Sequence, residues 1–172
     1  MAFTLQDMKT AIGAGARSNI FEVTYSGGGL DGVAANFSFL TKAAALPSST
    51  VGLIEVPFRG RRLKLAGDRV FNEWTATVIN DESFAIRAAL ETHQSSFTDV
   101  DFEAESLGDR TAGRSTLTVS QLDAAGVAVR TYSLINCFAS EIGTIDLSYD
   151  TTDTVEEYTV TWTYDYFTTL VA

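Results

Sequence analysis

Strict alternation near the C-terminus constrains this chain more than any other feature of its sequence. From Tyr158 to Tyr166 the even positions are Tyr158, Val160, Trp162, Tyr164 and Tyr166, while the odd positions are Thr159, Thr161, Thr163 and Asp165. Successive side chains of a β-strand point to opposite faces of the sheet. The pattern therefore predicts a strand with one apolar face and one hydroxylic face.

The preceding segment repeats this alternation. Ile145, Leu147 and Tyr149 alternate there with Thr144, Asp146, Ser148 and Asp150. The stretch "DTTDTVEE" between the two segments has the composition of a turn. We therefore predict a hairpin at the C-terminal end of the chain.

Other segments predict further strands and two helices. Strands are expected at residues 20–25, 35–40, 50–58, 115–122 and 128–134, and around Trp74 to Val78. The stretch "NDESFAIRAALETHQ" predicts a helix because acids stand in its first turn and apolar residues recur at helical spacing. A shorter helix is expected from Leu5 to Ile12. Together they predict a mainly β fold, a sandwich or barrel with one packed α-helix, in a single domain of residues 1–172.

Charge and cysteine content exclude some functions. The 22 acidic residues outnumber the 12 basic ones and give a net charge of -10, which disfavours a surface that grips nucleic acid but not one that repels it. The single cysteine, Cys137, excludes an internal disulfide and favours a reducing compartment. The first residues lack the apolar run of a signal peptide or membrane anchor, so we expect neither.

Residues with catalytic potential are few and isolated. His93 lies on the apolar side of the predicted helix, where a structural role is more typical than that of a base. Cys137 is expected to be a small buried hydrophobe, and "SGGGLDG" matches no phosphate or dinucleotide fingerprint, so it is interpreted as a flexible hairpin loop. The acids Asp99, Asp101, Glu103 and Glu105 predict a solvated loop, with a divalent-cation site as the alternative. We expect no catalytic residue, cofactor or metal site.

The stretch "LKLAGDRVFNEWTATVINDES", residues 63–83, allows two interpretations. Its carboxylates are candidates for acid–base chemistry, but Asp81 stands where a helix start favours an acid, and Asp68 is a natural turn residue. We therefore interpret the stretch as a structural joint. Its residues are Gly67 and Asp68 in a turn, Arg69 as a salt-bridge or backbone partner, Trp74 as the anchor of a strand, and Asp81 at the helix start.

Long strands with hydroxylic faces favour self-association. Such a face suits contact with water, including water inside a closed ring of strands. Unpaired strand edges can be satisfied by another copy of the chain. From its residues alone the chain is expected to be β-rich, acidic and self-associating.

Several motifs resemble the tail tube proteins of contractile-tailed, T4-like bacteriophages. The resemblance rests on "TKAAALPSSTVGLIEVPFRGRRLKLAGDRVFNEWTATVINDES", with support from "ARSNIFEV" near the start and "IGTIDLSYDTTDTVEEYTVTWTYDYF" near the end. Within the first stretch, "ALP", "AGDR", "WT" and "NDE" are the most specific motifs. The chain departs from the family at Ala139, where a proline is expected, and in the "SGGGLDG" loop, which is an insertion.

The resemblance implies a structural virion protein and no enzyme. Six subunits would form a ring whose sheets join into a continuous inner β-barrel, and rings would stack into a hollow tube inside a contractile sheath. The tube would be driven through the host envelope and conduct genomic DNA. The implied partners are further copies, the sheath, baseplate and terminator proteins, a tape measure protein inside the tube, and DNA in passage. The implied location is the virion, with the host cytoplasm during assembly.

Two groups of residues follow from this resemblance. A long extended hairpin would contact neighbouring subunits or the adjacent ring through Val51, Leu53, Val56, Phe58, Arg59, Arg61 and Arg62. The lumen would be lined by Thr144, Asp146, Ser148, Thr159, Thr161 and Thr163. The alternatives are a tube initiator at the baseplate end, a secretion-system tube ring, and a monomeric β-sandwich binding module.

Overall fold

The computed structural model describes residues 4–12, 15–97, 114–150 and 152–171. Three helices lie in these segments: α1 (Leu5–Ile12), α2 (Ala34–Leu40) and α3 (Ala85–Ser95). The strands of these segments are β1 (Phe21–Gly27), β2 (Thr41–Ala44), β3 (Ser49–Phe58), β4 (Arg61–Phe71), β5 (Trp74–Ile79), β6 (Ser115–Leu122), β7 (Ala128–Ile142), β8 (Glu157–Thr163) and β9 (Tyr166–Val171). The mainly β prediction is confirmed.

A single antiparallel sheet carries seven of these strands. Its order is β1-β6-β7-β8-β5-β2, and β9 pairs with β7 outside this path. Strand β7 is long because it serves two halves: residues 130–135 pair with β9, and residues 138–142 pair with β8. Between them Asn136 adopts a left-handed conformation with φ 57°, which asparagine tolerates better than most residues. Asn136 therefore stands at the junction between the two halves of the sheet.

The core lies between these halves and centres on Trp162. This indole is fully buried on β8, and its ring lies 5.2 Å from Tyr25 of β1 and 6.2 Å from Phe37 of α2. Trp74 of β5 is its partner across the antiparallel ladder and is also buried. Its indole N–H donates to the carbonyl of Ala45. The sequence alternation thus places both tryptophans in the interior.

Helix α3 covers the core side of the sheet. It begins at Ala85 and not at the predicted start around Asp81, so no acid stands in its first turn. It buries Ile86, Leu90 and His93, which recur at helical spacing, as predicted. The side chain of Arg87 extends over the ring of Tyr158, with the guanidinium carbon 5.3 Å from its centroid, and donates to the carbonyl of Gly143 at 3.1 Å. Helix α1 is also confirmed, but it buries no residue.

The β3–β4 hairpin stands apart from the seven-stranded sheet. Its strands pair with each other, as a separate two-stranded sheet. Residues 50–66 are all exposed. An isolated two-stranded hairpin of this length is at best marginally stable in water. The extended hairpin predicted here is present, and among the described residues only its base packs against the core, through Phe71.

The predicted turn at Gly67–Asp68 is wrong. Both residues lie inside β4, where they oppose the single residue Gly52 and form a β-bulge between the pairs Val51–Arg69 and Leu53–Ala66. A Cβ on Gly67 would lie 3.2 Å from the backbone of Gly52, so the close approach favours glycine. Glycine followed by aspartate is typical of turns, but here the two residues form a bulge within a continuous strand.

Three other sequence predictions need correction. Residues 35–40 form helix α2 rather than a strand. The segment is too short for its periodicity to distinguish a helix from a strand, and the packing of Phe37 against Tyr25 and Trp162 favours the helix. The "SGGGLDG" loop leads from β1 into this helix, so it is not a hairpin loop. The strand predicted from Thr144 to Asp150 is absent; residues 143–148 form an irregular loop, and β8 pairs with β5 and β7.

The strand predicted from Tyr158 to Tyr166 is interrupted near Asp165. The amide of Asp165 donates to the carbonyl of Ile135, and its carboxylate accepts hydrogen bonds from Arg114 and Asn136. These contacts fix the corner at which β8 ends and β9 begins. The hydrogen-bond partners of Asp165 are distant in sequence, so the alternation of residues 158–166 does not predict this corner.

Candidate assembly surfaces

The open side of β5 and β8 forms a hydroxyl face, consisting of Thr75, Thr77, Thr159, Thr161 and Thr163. Thr75 pairs with Thr161 and Thr77 with Thr159 across the two strands. The residues between them, among them Trp74, Val78, Val160 and Trp162, are buried on the other side. The hydroxyl face therefore lies opposite the core and helix α3.

The edges of the hydroxyl face carry charge. Glu157 of β8 accepts from Lys42 of β2 at 2.5 Å, and this ammonium is half-exposed. Glu141 of β7 pairs with Thr161 in the register of the sheet and is exposed. The threonine hydroxyls carry no charge that attracts a polyanion, and the carboxylates repel one, so the face suits contact with water.

The two faces of the hairpin differ in polarity. Antiparallel register places Ile54, Val56, Phe58, Leu63 and Leu65 on one face, and between 42% and 66% of each of these side chains is exposed. The other face carries Glu55, Pro57, Arg62 and Lys64 around Leu53. An exposed apolar stripe of this kind marks a surface that another molecule covers.

The end of the hairpin is strongly basic. Arg59, Arg61, Arg62 and Lys64 lie within six residues, and Glu55 neutralises only Arg62, at 2.7 Å. The guanidinium carbon of Arg59 lies 5.4 Å from the ring centroid of Phe58. The hairpin end thus combines an aromatic ring with unneutralised positive charge.

The base of the hairpin is held by Arg69. Its Nε donates to the hydroxyl of Ser49 at 2.9 Å, and its guanidinium carbon lies 5.3 Å from the Phe71 centroid and 5.7 Å from that of Phe167. Within the described residues the salt bridge expected for Arg69 is not formed. Cation–π contacts with two rings take its place and tie β4 to β9.

A cleft of about 530 Å³ lies in the loop between β7 and β8. Its lining residues are Thr144, Ile145, Asp146, Leu147, Ser148, Tyr149, Thr154, Val155, Glu156 and Glu157. Leu147, Tyr149 and Val155 are largely exposed. Glu156 accepts from Asn80 at 2.9 Å, and Asp146 has no ion-pair partner in the described segments. Gly143 starts the loop against the carbonyl of Thr159, where a Cβ would lie at 2.8 Å.

The candidates for chemistry lie apart from one another in the structure. His93 is buried, and its Nδ1 lies 2.9 Å from the carbonyl of Gly28, so Nδ1 carries the proton; burial lowers the pKa of this imidazole. Burial likewise raises the pKa of the Cys137 thiol, which confirms a buried cysteine. The Ser83 hydroxyl, and less strongly the amides of Ala85 and Ile86, lower the pKa of the Asp81 carboxyl.

Neither a cluster of metal ligands nor a membrane-spanning helix occurs in the described segments. Among these residues no three of the His, Cys, Asp and Glu side chains come together as metal ligands do, while Asp99, Asp101, Glu103 and Glu105 lie outside the described residues. None of the described helices has the length and apolar character needed to cross a membrane.

Sequence comparison identifies the family. Residues 14–170 match the family described as phage tail tube protein. The chain is 30% identical over 159 residues to the tail tube protein gp19 of Enterobacteria phage T4, covering 88% of this chain and 90% of gp19, and gp19 of phage T6 matches equally. The chain belongs to the phage tail tube protein family, and its role is that of a structural tail tube protein.

Solved structures share the fold at lower identity. A chain of the anti-feeding prophage baseplate superposes with a TM-score of 0.65 at 15% identity, covering 91% of this chain and 95% of that one. A chain of the sheath–tube complex of the extracellular contractile injection system PVC gives 0.65 at 12% identity, covering 99% and 100%. These similarities support the mainly β fold of contractile injection tubes.

The structure sorts the predicted site residues into different places. Thr159, Thr161 and Thr163 share the hydroxyl face. Thr144, Asp146 and Ser148 lie in the loop, where the strand predicted for them is absent. Sequence reasoning missed Thr75 and Thr77 as their neighbours, and it missed the cleft. A count of charges would have pointed to the cleft, because residues 141–157 hold six acids and no basic residue.

Proposed function

We propose that six copies of this chain form a ring and that rings stack into the hollow inner tube of a contractile phage tail. In this assembly the tube is driven through the host envelope and conducts genomic DNA. Family membership supports the tube, and the exposed apolar face of the hairpin is the structural observation that carries self-assembly. A stable interface between copies needs about 1,200 Å² or more of buried surface, and a hairpin exposed on both faces can contribute to it.

In this proposal the hydroxyl face lines the lumen. It lies opposite helix α3, so joining the sheets of six copies edge to edge encloses threonines inside and leaves the helix outside. Water bound to hydroxyls, with Glu141 and Glu157 near the edges, gives a wall that does not retain phosphates. Thr144, Asp146 and Ser148 are not included, because their loop lies beyond the end of the strand.

The proposed partners are supported by the family of the chain and by the assemblies from which the similar structures come. Those structures include a baseplate and a sheath–tube complex of other systems. We assign to this chain contacts with sheath, baseplate and terminator proteins outside the tube and with a tape measure protein inside it. The proposed action is mechanical, without catalysis. The protein acts in the virion and assembles in the host cytoplasm.

The alternative of a monomeric binding module is disfavoured by the hairpin. A monomer would leave five apolar side chains of one hairpin face in water. A tube initiator or a secretion-system ring shares the fold, and these alternatives differ in the assembly that forms.

Negative-stain electron microscopy of the purified protein tests the proposal. We expect long hollow tubes built from stacked rings. Isolated rings would favour the secretion-system alternative, and a uniform monomer at high protein concentration would overturn the proposal.

The lumen assignment has its own test. Thr159→Lys with Thr161→Lys places two cations on the hydroxyl face, and we expect tubes that assemble normally but eject DNA more slowly. The matched control is Thr24→Lys with Ser26→Lys, which are exposed on β1 in the other half of the sheet. Ejection slowed equally by both variants, or by neither, would remove the hydroxyl face from the lumen.

A further inference from the structure

Acidic and basic residues of this chain are concentrated in two separate segments. Four of the 12 basic residues lie between Arg59 and Lys64, at the end of the hairpin. Six of the 22 acids lie between Glu141 and Glu157, with no basic residue among them. The hairpin end is thus basic although the whole chain has a net charge of -10. Surfaces of opposite charge guide specific association between proteins.

The two segments project from opposite ends of the same strand. Strand β4 ends just before Trp74, the first residue of β5, so the hairpin leaves the sheet at that end. The last residue of β5, Ile79, pairs with Glu157, where the acidic loop joins β8. Six strand residues separate these ends by roughly 17 Å. The hairpin base and the acidic loop therefore lie at opposite ends of strand β5.

Both segments also expose apolar side chains. The loop exposes Leu147, Tyr149 and Val155 around its cleft, with exposed fractions of 80%, 104% and 66%. The hairpin end exposes Phe58 and Leu63 beside its arginines. Each surface thus has an apolar centre and charged surroundings, the arrangement found in protein–protein interfaces.

We propose that the hairpin end of one copy docks head to tail into the acidic cleft between β7 and β8 of another copy. This inference rests on the proposed function, because it names the surface that receives the hairpin when copies stack. Arg61 lies on the apolar face beside Phe58 and approaches Asp146, while Phe58 and Leu63 cover Leu147 and Tyr149.

Such an interface has a direction. Hairpin and cleft are different surfaces, so each copy uses one of each, and the contact generates an open polymer unless rotation closes it. The last ring at one end keeps free hairpins, and the last ring at the other end keeps free clefts. The two tube ends therefore present opposite charge to whatever caps them.

Charge reversal tests the pairing. We expect Arg61→Glu alone and Asp146→Lys alone each to lower the fraction of protein sedimenting as tubes by about tenfold, because like charges then meet at the interface. The two changes combined in one chain should restore tubes to within about twofold of the unmodified protein. Glu22→Lys replaces one exposed acid of β1 and changes the net charge in the same direction as Asp146→Lys, so it is the charge control for that variant and should leave assembly unchanged.

Disulfide cross-linking supplies a second measurement. The native Cys137 is buried, so cysteines placed at Arg61 and Asp146 dominate the reaction. Oxidation of assembled Arg61→Cys/Asp146→Cys protein should give a ladder of linked chains, and Arg61→Cys/Glu22→Cys should give none. Single reversals without effect, a double reversal that does not recover, or a missing ladder would each overturn the docking. If the unmodified protein forms tubes in that case, the proposed function stands without it.

Discussion

The core around Trp162 and the β3–β4 hairpin differ in whether their apolar side chains are covered within one copy of the chain. In the core, both tryptophans, Val160 and Leu90 are buried by partners from the same chain. In the hairpin, Ile54, Val56, Phe58, Leu63 and Leu65 stay exposed although their strands are fully paired. In the proposed assembly the core is complete in one copy, whereas the hairpin is completed by another. Mutations in the two regions should therefore affect different measurements.

The largest effect on folding is expected in the core. Trp162→Ala removes the ring that contacts Tyr25, Phe37 and His93, and we expect it to lower the free energy of unfolding by about 3–5 kcal/mol. That is a large part of the stability of an ordinary domain. Urea denaturation followed by tryptophan fluorescence measures it through the remaining Trp74. A loss under about 1 kcal/mol would show that Trp162 is not the centre of the core.

The hairpin should show the reverse behaviour. Val56→Ser with Leu63→Ser makes a cross-strand pair on the apolar face polar. We expect the free energy of unfolding of the monomer to change by less than about 0.5 kcal/mol, while sedimentation detects no tubes. Val127→Ser with Val129→Ser, also exposed and at the β6–β7 turn, is the matched control and should assemble. Tubes from the first variant would contradict the role of the apolar face.

Arg69 joins the two regions, and its effect should be intermediate. Arg69→Ala removes the hydrogen bond to Ser49 and the cation–π contacts with Phe71 and Phe167, so we expect a loss of about 1 kcal/mol and weaker tube formation. Arg69→Lys keeps the charge but not the planar guanidinium, and it should recover only part of the loss. Full recovery by lysine in both assays would show that charge alone matters.

The smallest expected effect is the pH dependence of the free energy of unfolding, which arises from His93 in the core and not from the hairpin. Burial lowers the pKa of His93 below its ordinary value of 6.5, so the unfolded chain binds a proton more readily than the folded chain. The stability from neutral His93 is present above about pH 6.5 and is lost as pH falls towards the lowered pKa, by at most about 1.4 kcal/mol per pH unit.

Urea unfolding at several pH values measures this slope, using the Val56→Ser/Leu63→Ser monomer so that assembly does not interfere. His93→Asn keeps a donor for the carbonyl of Gly28 and should flatten the slope between pH 7 and pH 5.5. An unchanged slope in His93→Asn would assign the pH dependence to other groups.

Sequence reasoning was most successful where local pattern and burial coincide. Alternation placed Tyr158, Val160 and Trp162 correctly on the buried side of β8, and helical spacing placed Ile86 and Leu90 on the buried side of α3. The same rule gave a false strand at residues 144–150, since a loop that lies over a cleft can alternate without a partner strand. Alternation reports which residues share a face but not whether another strand pairs with them.

The candidate surfaces were less accessible to sequence reasoning. The hairpin residues were predicted from resemblance, but the bulge at Gly67, which sets the register of the two faces, depends on the close approach of Gly52. Thr75 and Thr77 join the hydroxyl face only through their pairing with Thr161 and Thr159. Pairing between distant strands is a property of the fold, and no single segment encodes it.

A cryo-electron microscopy reconstruction of the assembled tube tests the central claim most directly, namely that the hairpin is completed by another copy while the core is complete in one. We expect the apolar face of β3–β4 to be buried against a neighbouring copy, the core to be unchanged, and Thr159, Thr161 and Thr163 to line the channel. A hairpin that stays exposed to solvent in a well-formed tube would contradict this account.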